Sequence, residues 1–169
     1  MVSTECFPEY CCKPILVLGC GNILMGDDGF GPAVSEYLLK CDALPDKVCV
    51  LAAGTSSREL LFNIALSGKR PEIIIIIDAM ECSKEPGAVV ELSLDDIPEN
   101  KTDDFSFHQV PTSNLLRELR DLCNVEVILI VLQPFYIPEE VNPGLSPAAK
   151  NAVKKAADHV FSIICRENN

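Results

Sequence analysis

The sequence predicts an α/β fold, a parallel or mixed sheet with helices on both faces. Three observations carry that prediction. Short apolar runs closed by turn residues alternate with segments of helical spacing along most of the chain. The middle run, Ile73 to Ile77, is five consecutive isoleucines with no polar alternation. A strand that reads so is covered by helices above and below. And 169 residues, 48% of them hydrophobic, suffice for one domain with a sizeable core but hardly for two.

The elements follow in order. Residues 1–13 read as a short tail without a pattern, and 14–169 as a single domain. Ile15 to Leu18, closed by Gly19, is a first buried strand. From Gly29 to Lys40, Phe30, Val34, Tyr37 and Leu38 share one helical face. Asp27 or Asp28 can cap that helix, and Pro32 is tolerated in its first turn. Val48 to Leu51 is a second strand, and a helix from Ser56 or Ser57 to about Leu66 follows. The isoleucine strand ends at Asp78, and Pro86-Gly87 turns the chain into a strand over Ala88 to Leu92. Thr112 or Ser113 caps a helix to about Leu122, and Val125 to Leu132 is another buried strand. Ser146-Pro147 opens the last helix with residues suited to its N-cap and first position.

Composition excludes several function classes. Acidic residues outnumber basic ones 25 to 14, a net charge of −11 that disfavours nucleic-acid backbones and anionic membranes. No run approaches the roughly 20 apolar residues needed to span a bilayer, and no secretion signal is read at the N-terminus. Nine cysteines, an odd number without CxxC spacing, point to free thiols in a reducing cytoplasm rather than to a disulfide framework or a structural zinc site.

Ligands of open α/β sheets bind beyond the carboxyl ends of the strands. Asp28 after the first strand, Asp78 ending the isoleucine strand and His108 before the Thr112 helix all fall at such places. Each alone has a plainer reading, as helix cap, turn residue or loop histidine. Together they form a mixed oxygen and nitrogen donor set suited to a divalent first-row metal with open coordination positions. Gly19-Cys20-Gly21-Asn22 begins like a dinucleotide fingerprint, but Leu24 replaces the third glycine and Ala52-Ala53 the ribose-binding acid. Cys20 or the Thr55-Ser56-Ser57 hydroxyls, with His108 as base, remain an alternative nucleophile.

The stretch Leu18-Gly19-Cys20-Gly21-Asn22-Ile23-Leu24-Met25-Gly26-Asp27-Asp28-Gly29-Phe30-Gly31 resembles the N-terminal signature of the [NiFe]-hydrogenase maturation proteases, roughly G-x-G-N-x-L-x-x-D-[DE]-x-x-G. Ile76-Ile77-Asp78-Ala79, Phe107-His108-Gln109 and Gly144-Leu145-Ser146-Pro147 are similar to its later elements, in order. The resemblance implies a three-layer α/β/α peptidase domain with a twisted, mostly parallel five-stranded sheet. It implies one endoproteolytic cut, removing the C-terminal extension of a hydrogenase large-subunit precursor once nickel is in place. Asp28 and Asp78 would be catalytic, and Asp28, Asp78 and His108 would contact nickel, whether substrate-borne or bound at the site. A non-enzymatic nickel-handling chaperone is the alternative. Ala52 stands where the family usually has an acidic residue, so the chain does without that group or uses Asp27, which is otherwise expected as a cap or support. The Cys-rich start points toward members linked to coenzyme-F420-reducing hydrogenases.

Overall fold

Apolar runs become strands here because each is too short for a helix and is closed by Gly, Asp or Pro. The computed structural model describes residues 7–97 and 113–166. A single turn of helix, α1 (Glu9–Cys12), precedes β1 (Ile15–Cys20). A 3-10 turn over Gly26–Gly29 leads into α2 (Phe30–Leu39), then β2 (Val48–Gly54), α3 (Ser57–Leu66) and β3 (Ile73–Ala79). The chain continues through β4 (Val89–Leu92), α4 (Ser113–Cys123), β5 (Glu126–Leu132) and α5 (Pro147–Arg166).

The five strands lie in the order β2-β1-β3-β5-β4. The first four are parallel and β4 runs antiparallel at the edge. β1 and β3 are buried at every position, as central strands between two helical layers must be. The isoleucine run divides by pleat. Ile73, Ile75 and Ile77 join Phe30, Val34 and Leu38 of α2 and the alanine face of α5, Ala149, Ala152 and Ala156. Ile74 and Ile76 join Leu61 and Ile64 of α3 and Leu115, Leu116 and Leu119 of α4.

The N-terminal residues take part in the second layer. Cys11 is buried there, and Phe7 and Tyr10 pack partly against it. Neither Asp27 nor Asp28 caps α2 with its side chain; Gly29 holds the cap position and both aspartates sit inside the 3-10 turn. Ser146 does cap α5, its Oγ accepting from Ala149 N–H at 3.2 Å. Among the described residues, no helix is long and apolar enough to cross a membrane.

Candidate active site

The connections leaving β1 and β3 diverge. From β1 the chain passes through α2 to β2 on one side, and from β3 it passes by way of β4 and α4 to β5 on the other. This reversal makes a crevice at the carboxyl ends of β1 and β3, the position where such sheets bind ligands. Glycine lets α2 pack closely beside this crevice. A Cβ on Gly31 would lie 2.3 Å from both the Cys20 and the Ile77 carbonyl oxygens, and one on Gly19 would lie 2.2 Å from the Gly31 oxygen. The first turn of α2 therefore rests directly on the backbone of both central strands. That contact sets the height of the preceding 3-10 turn, and with it Asp28.

Asp28 and Asp78 are brought together there. Gly21 adopts φ +113°, and a Cβ on it would fall 1.9 Å from the Asp28 carbonyl oxygen and 3.4 Å from Asp78 Oδ1. Gly21 thus lets the Asp28 backbone pass close beside the Asp78 side chain. Asp28 is 6% exposed and its Oδ2 accepts from Asn22 N–H at 2.7 Å. Asn22 shapes that loop through its own Oδ1, which accepts from Leu24 N–H at 3.0 Å. Asp78 is 5% exposed, and its Oδ1 accepts from Ala79 N–H at 2.8 Å.

Burial pushes the Asp78 carboxyl up to about 8; the Ala79 N–H opposes this and the negative charge of Asp28 adds to it. Asp78 therefore holds its proton well above the pH at which an ordinary carboxyl releases it. Such an arrangement can donate or accept a proton, and a cation placed beside it would offset both the cost of burial and the like-charge repulsion.

Cys20 lies against the same pair but is no nucleophile. Burial, and then the charge of Asp78, hold its thiol far above the ordinary range, so no thiolate forms at neutral pH. Ser57 is buried, while Thr55 and Ser56 are exposed. Ala52 is exposed near the end of β2 and brings no titratable group.

Asp27 has a separate task. Its Oδ2 accepts from Phe135 N–H at 2.9 Å, Tyr136 N–H at 3.4 Å and Ser146 Oγ at 2.9 Å, and its Oδ1 from Ser146 N–H at 2.7 Å. It ties the turn after β1 to the loop after β5 and to the start of α5. Sequence reasoning expected a cap or support there, but had no signal for partners 108 and 119 residues away. It also missed Gln133, buried just after β5. Gln133 Oε1 accepts from Cys82 and Lys84 N–H, at 3.0 and 3.1 Å, and its Nε2 donates to Glu81, shaping the loop after Asp78. A glutamine ending an apolar strand was the available hint.

The third residue named from the sequence, His108, lies outside the described residues. Among the described residues, no three His, Cys, Asp or Glu side chains form a metal-holding group.

Comparison with known proteins bears on this geometry. The family profile described as hydrogenase maturation protease matches residues 32–163. The chain is 34% identical to the coenzyme F420 hydrogenase subunit delta of Methanothermobacter thermautotrophicus, over 89% of this chain and 94% of that one. It is 33% identical to the hydrogenase 2 maturation protease of Escherichia coli, over 89% and 90%. The solved structure of a hydrogenase maturating endopeptidase from E. coli superposes with a TM-score of 0.74 at 30% identity, covering 90% and 93% of the two chains.

Proposed function

The chain belongs to the hydrogenase maturation protease family, a family of hydrolases, and from that premise we propose that it removes the C-terminal extension of a [NiFe]-hydrogenase large-subunit precursor after nickel insertion. The observation that carries the proposal is the buried Asp28–Asp78 pair on either side of Gly21, at the carboxyl ends of β1 and β3.

The reaction is hydrolysis of one peptide bond. A water held at the pair loses a proton to a carboxylate and attacks the scissile carbonyl carbon. The proton then passes to the departing amine nitrogen. In the free protein Asp78 holds a proton that blocks this role, because burial and Asp28 keep its proton affinity high. Nickel carried by the precursor changes that balance. A divalent cation beside Asp28 and Asp78 favours their ionised forms, so the pair becomes both nickel contact and base when the metal is present. His108 is proposed as the third contact, an imidazole that completes a mixed donor set suited to nickel. In this account the metal is substrate, and its absence leaves Asp78 holding its proton.

The proposed setting is cytoplasmic. It is supported by eight described cysteines that are all free. The family's usual acid after β2 is replaced by Ala52, so the account routes no proton through that position.

Asp28→Asn, Asp78→Asn and His108→Ala variants, incubated separately with nickel-loaded precursor, test the assignment. Loss of the shortened product in all three, with folding intact, is expected. Normal cutting by any two would refute it. Stoichiometric precursor binding by the wild type with no shortened product would instead make the protein a nickel-handling chaperone.

A further inference from the structure

Five large apolar side chains stand exposed on the two loops that frame the aspartate pair. Ile23 (61%) and Leu24 (46%) follow β1, and Phe135 (69%), Tyr136 (54%) and Val141 (70%) follow β5. A single exposed leucine is ordinary, whereas apolar groups concentrated on neighbouring segments mark interaction surfaces. These segments are neighbours by hydrogen bonding. Asn142 N–H donates to the Leu24 oxygen at 2.9 Å, Gly26 N–H to the Asn142 oxygen at 3.0 Å, and Asp27 N–H to the Tyr136 oxygen at 3.3 Å. The Asp27 carboxylate adds its bonds to Phe135 and Tyr136. The backbone is thus fastened while the side chains face outward, which lowers the ordering entropy a partner must offset.

The rim is continuous with the site, since Asn22, whose N–H holds Asp28, immediately precedes Ile23. Its charge has one sign. Residues 14–39 and 125–149 contain no Lys or Arg, and Glu139 and Glu140 are exposed on the second loop. An apolar surface edged with carboxylates repels acidic segments and suits an apolar one that carries a basic side chain.

We propose that this rim docks the segment of the precursor that contains the scissile bond, an apolar stretch whose basic side chain faces Glu139 and Glu140. The proposal rests on the protease reading above and names the chemistry its substrate must have.

The test uses the full chain and the nickel-loaded large-subunit precursor from the same source. Two double variants are compared with wild type, Phe135→Ser with Tyr136→Ser, and Glu139→Lys with Glu140→Lys. Both alter exposed side chains and leave the backbone donors to Asp27 in place, so wild-type thermal unfolding is expected. The aromatic variant should raise KM and the precursor Kd about tenfold or more, with kcat little changed, as loss of an interface anchor does. The charge-reversed variant should raise them several-fold, more strongly at low salt. Unchanged KM and Kd in both would overturn the docking surface while leaving the protease reading intact. Precursor binding without cutting by the wild type, lost in the variants, would support the dock and refute the protease. If the wild type neither binds nor cuts, both fall. If the aromatic variant converts a dimer to a monomer in sedimentation while KM stays fixed, the occupant is a second copy of the chain and the proposal is overturned.

Discussion

Replacing Asp78 by Asn in the metal-free protein should make it more stable at neutral and mildly alkaline pH. The amide keeps the shape of the carboxyl and an oxygen that can accept the Ala79 N–H. What it removes is a proton equilibrium. Folded Asp78 stays protonated until about pH 8, against a reference value of 3.8. Between those values the folded state binds one proton more than the unfolded state, so unfolding free energy falls as pH rises. The contribution is complete below the lower value and lost as pH climbs through the upper one. Each pH unit inside that window is worth up to about 1.4 kcal/mol. From about pH 5 to about pH 8 the ceiling is therefore about 4 kcal/mol, of which at least half is expected. For a chain of this size that corresponds to a Tm difference of roughly 5–10 °C. Thermal or urea unfolding of both proteins across that range, with a chelator present, measures it. All other titrating groups are shared, so the difference between the two curves isolates position 78. A difference that is flat with pH would refute the claim that Asp78 is held protonated in the fold.

Further outcomes follow from the same geometry. Asp27→Ala strands the Phe135, Tyr136 and Ser146 donors together. A fully buried donor left unsatisfied costs about 1–3 kcal/mol, and because these donors are only part-buried a total loss of roughly 2–4 kcal/mol is expected in urea unfolding, with Asp27→Asn losing less. Gly31→Ala drives a methyl into the Cys20 and Ile77 carbonyls, and overpacking of this kind costs typically 1–3 kcal/mol or about that. The variant should also cut more slowly, because Asp28 moves with the helix start. Cys20→Ala should retain cleavage of nickel-loaded precursor, since the thiol is buried and protonated; its loss would restore a cysteine mechanism.

The layers of the fold were readable because Ile15 to Leu18, Ile73 to Ile77 and Val127 to Leu132 are apolar without alternation, a pattern that buried parallel strands share. The direction of β4 was not, since four residues at a sheet edge carry no signal of strand polarity. Asp28 and Asp78 could be named because one follows β1 and the other lies at the end of β3, where sheet topology gathers ligands. The close approach of the Asp28 backbone over Gly21 could not, because it depends on a positive φ and on how α2 sits on β1. The tail reading missed the packing of Phe7, Tyr10 and Cys11 because a one-turn helix shows no period. Asp27 and Gln133 act through long-range hydrogen bonds that local patterns do not encode. His108 lies outside the described residues, so its part rests on the resemblance and on the variant tests.

The most direct measurement of the central claim is the product mass after incubating the protein with nickel-loaded and with nickel-free large-subunit precursor. The account predicts a C-terminally shortened product in the nickel-loaded sample alone. Equal shortening in both would contradict the dependence on substrate nickel, and no shortening in either, with both proteins folded, would contradict the protease itself.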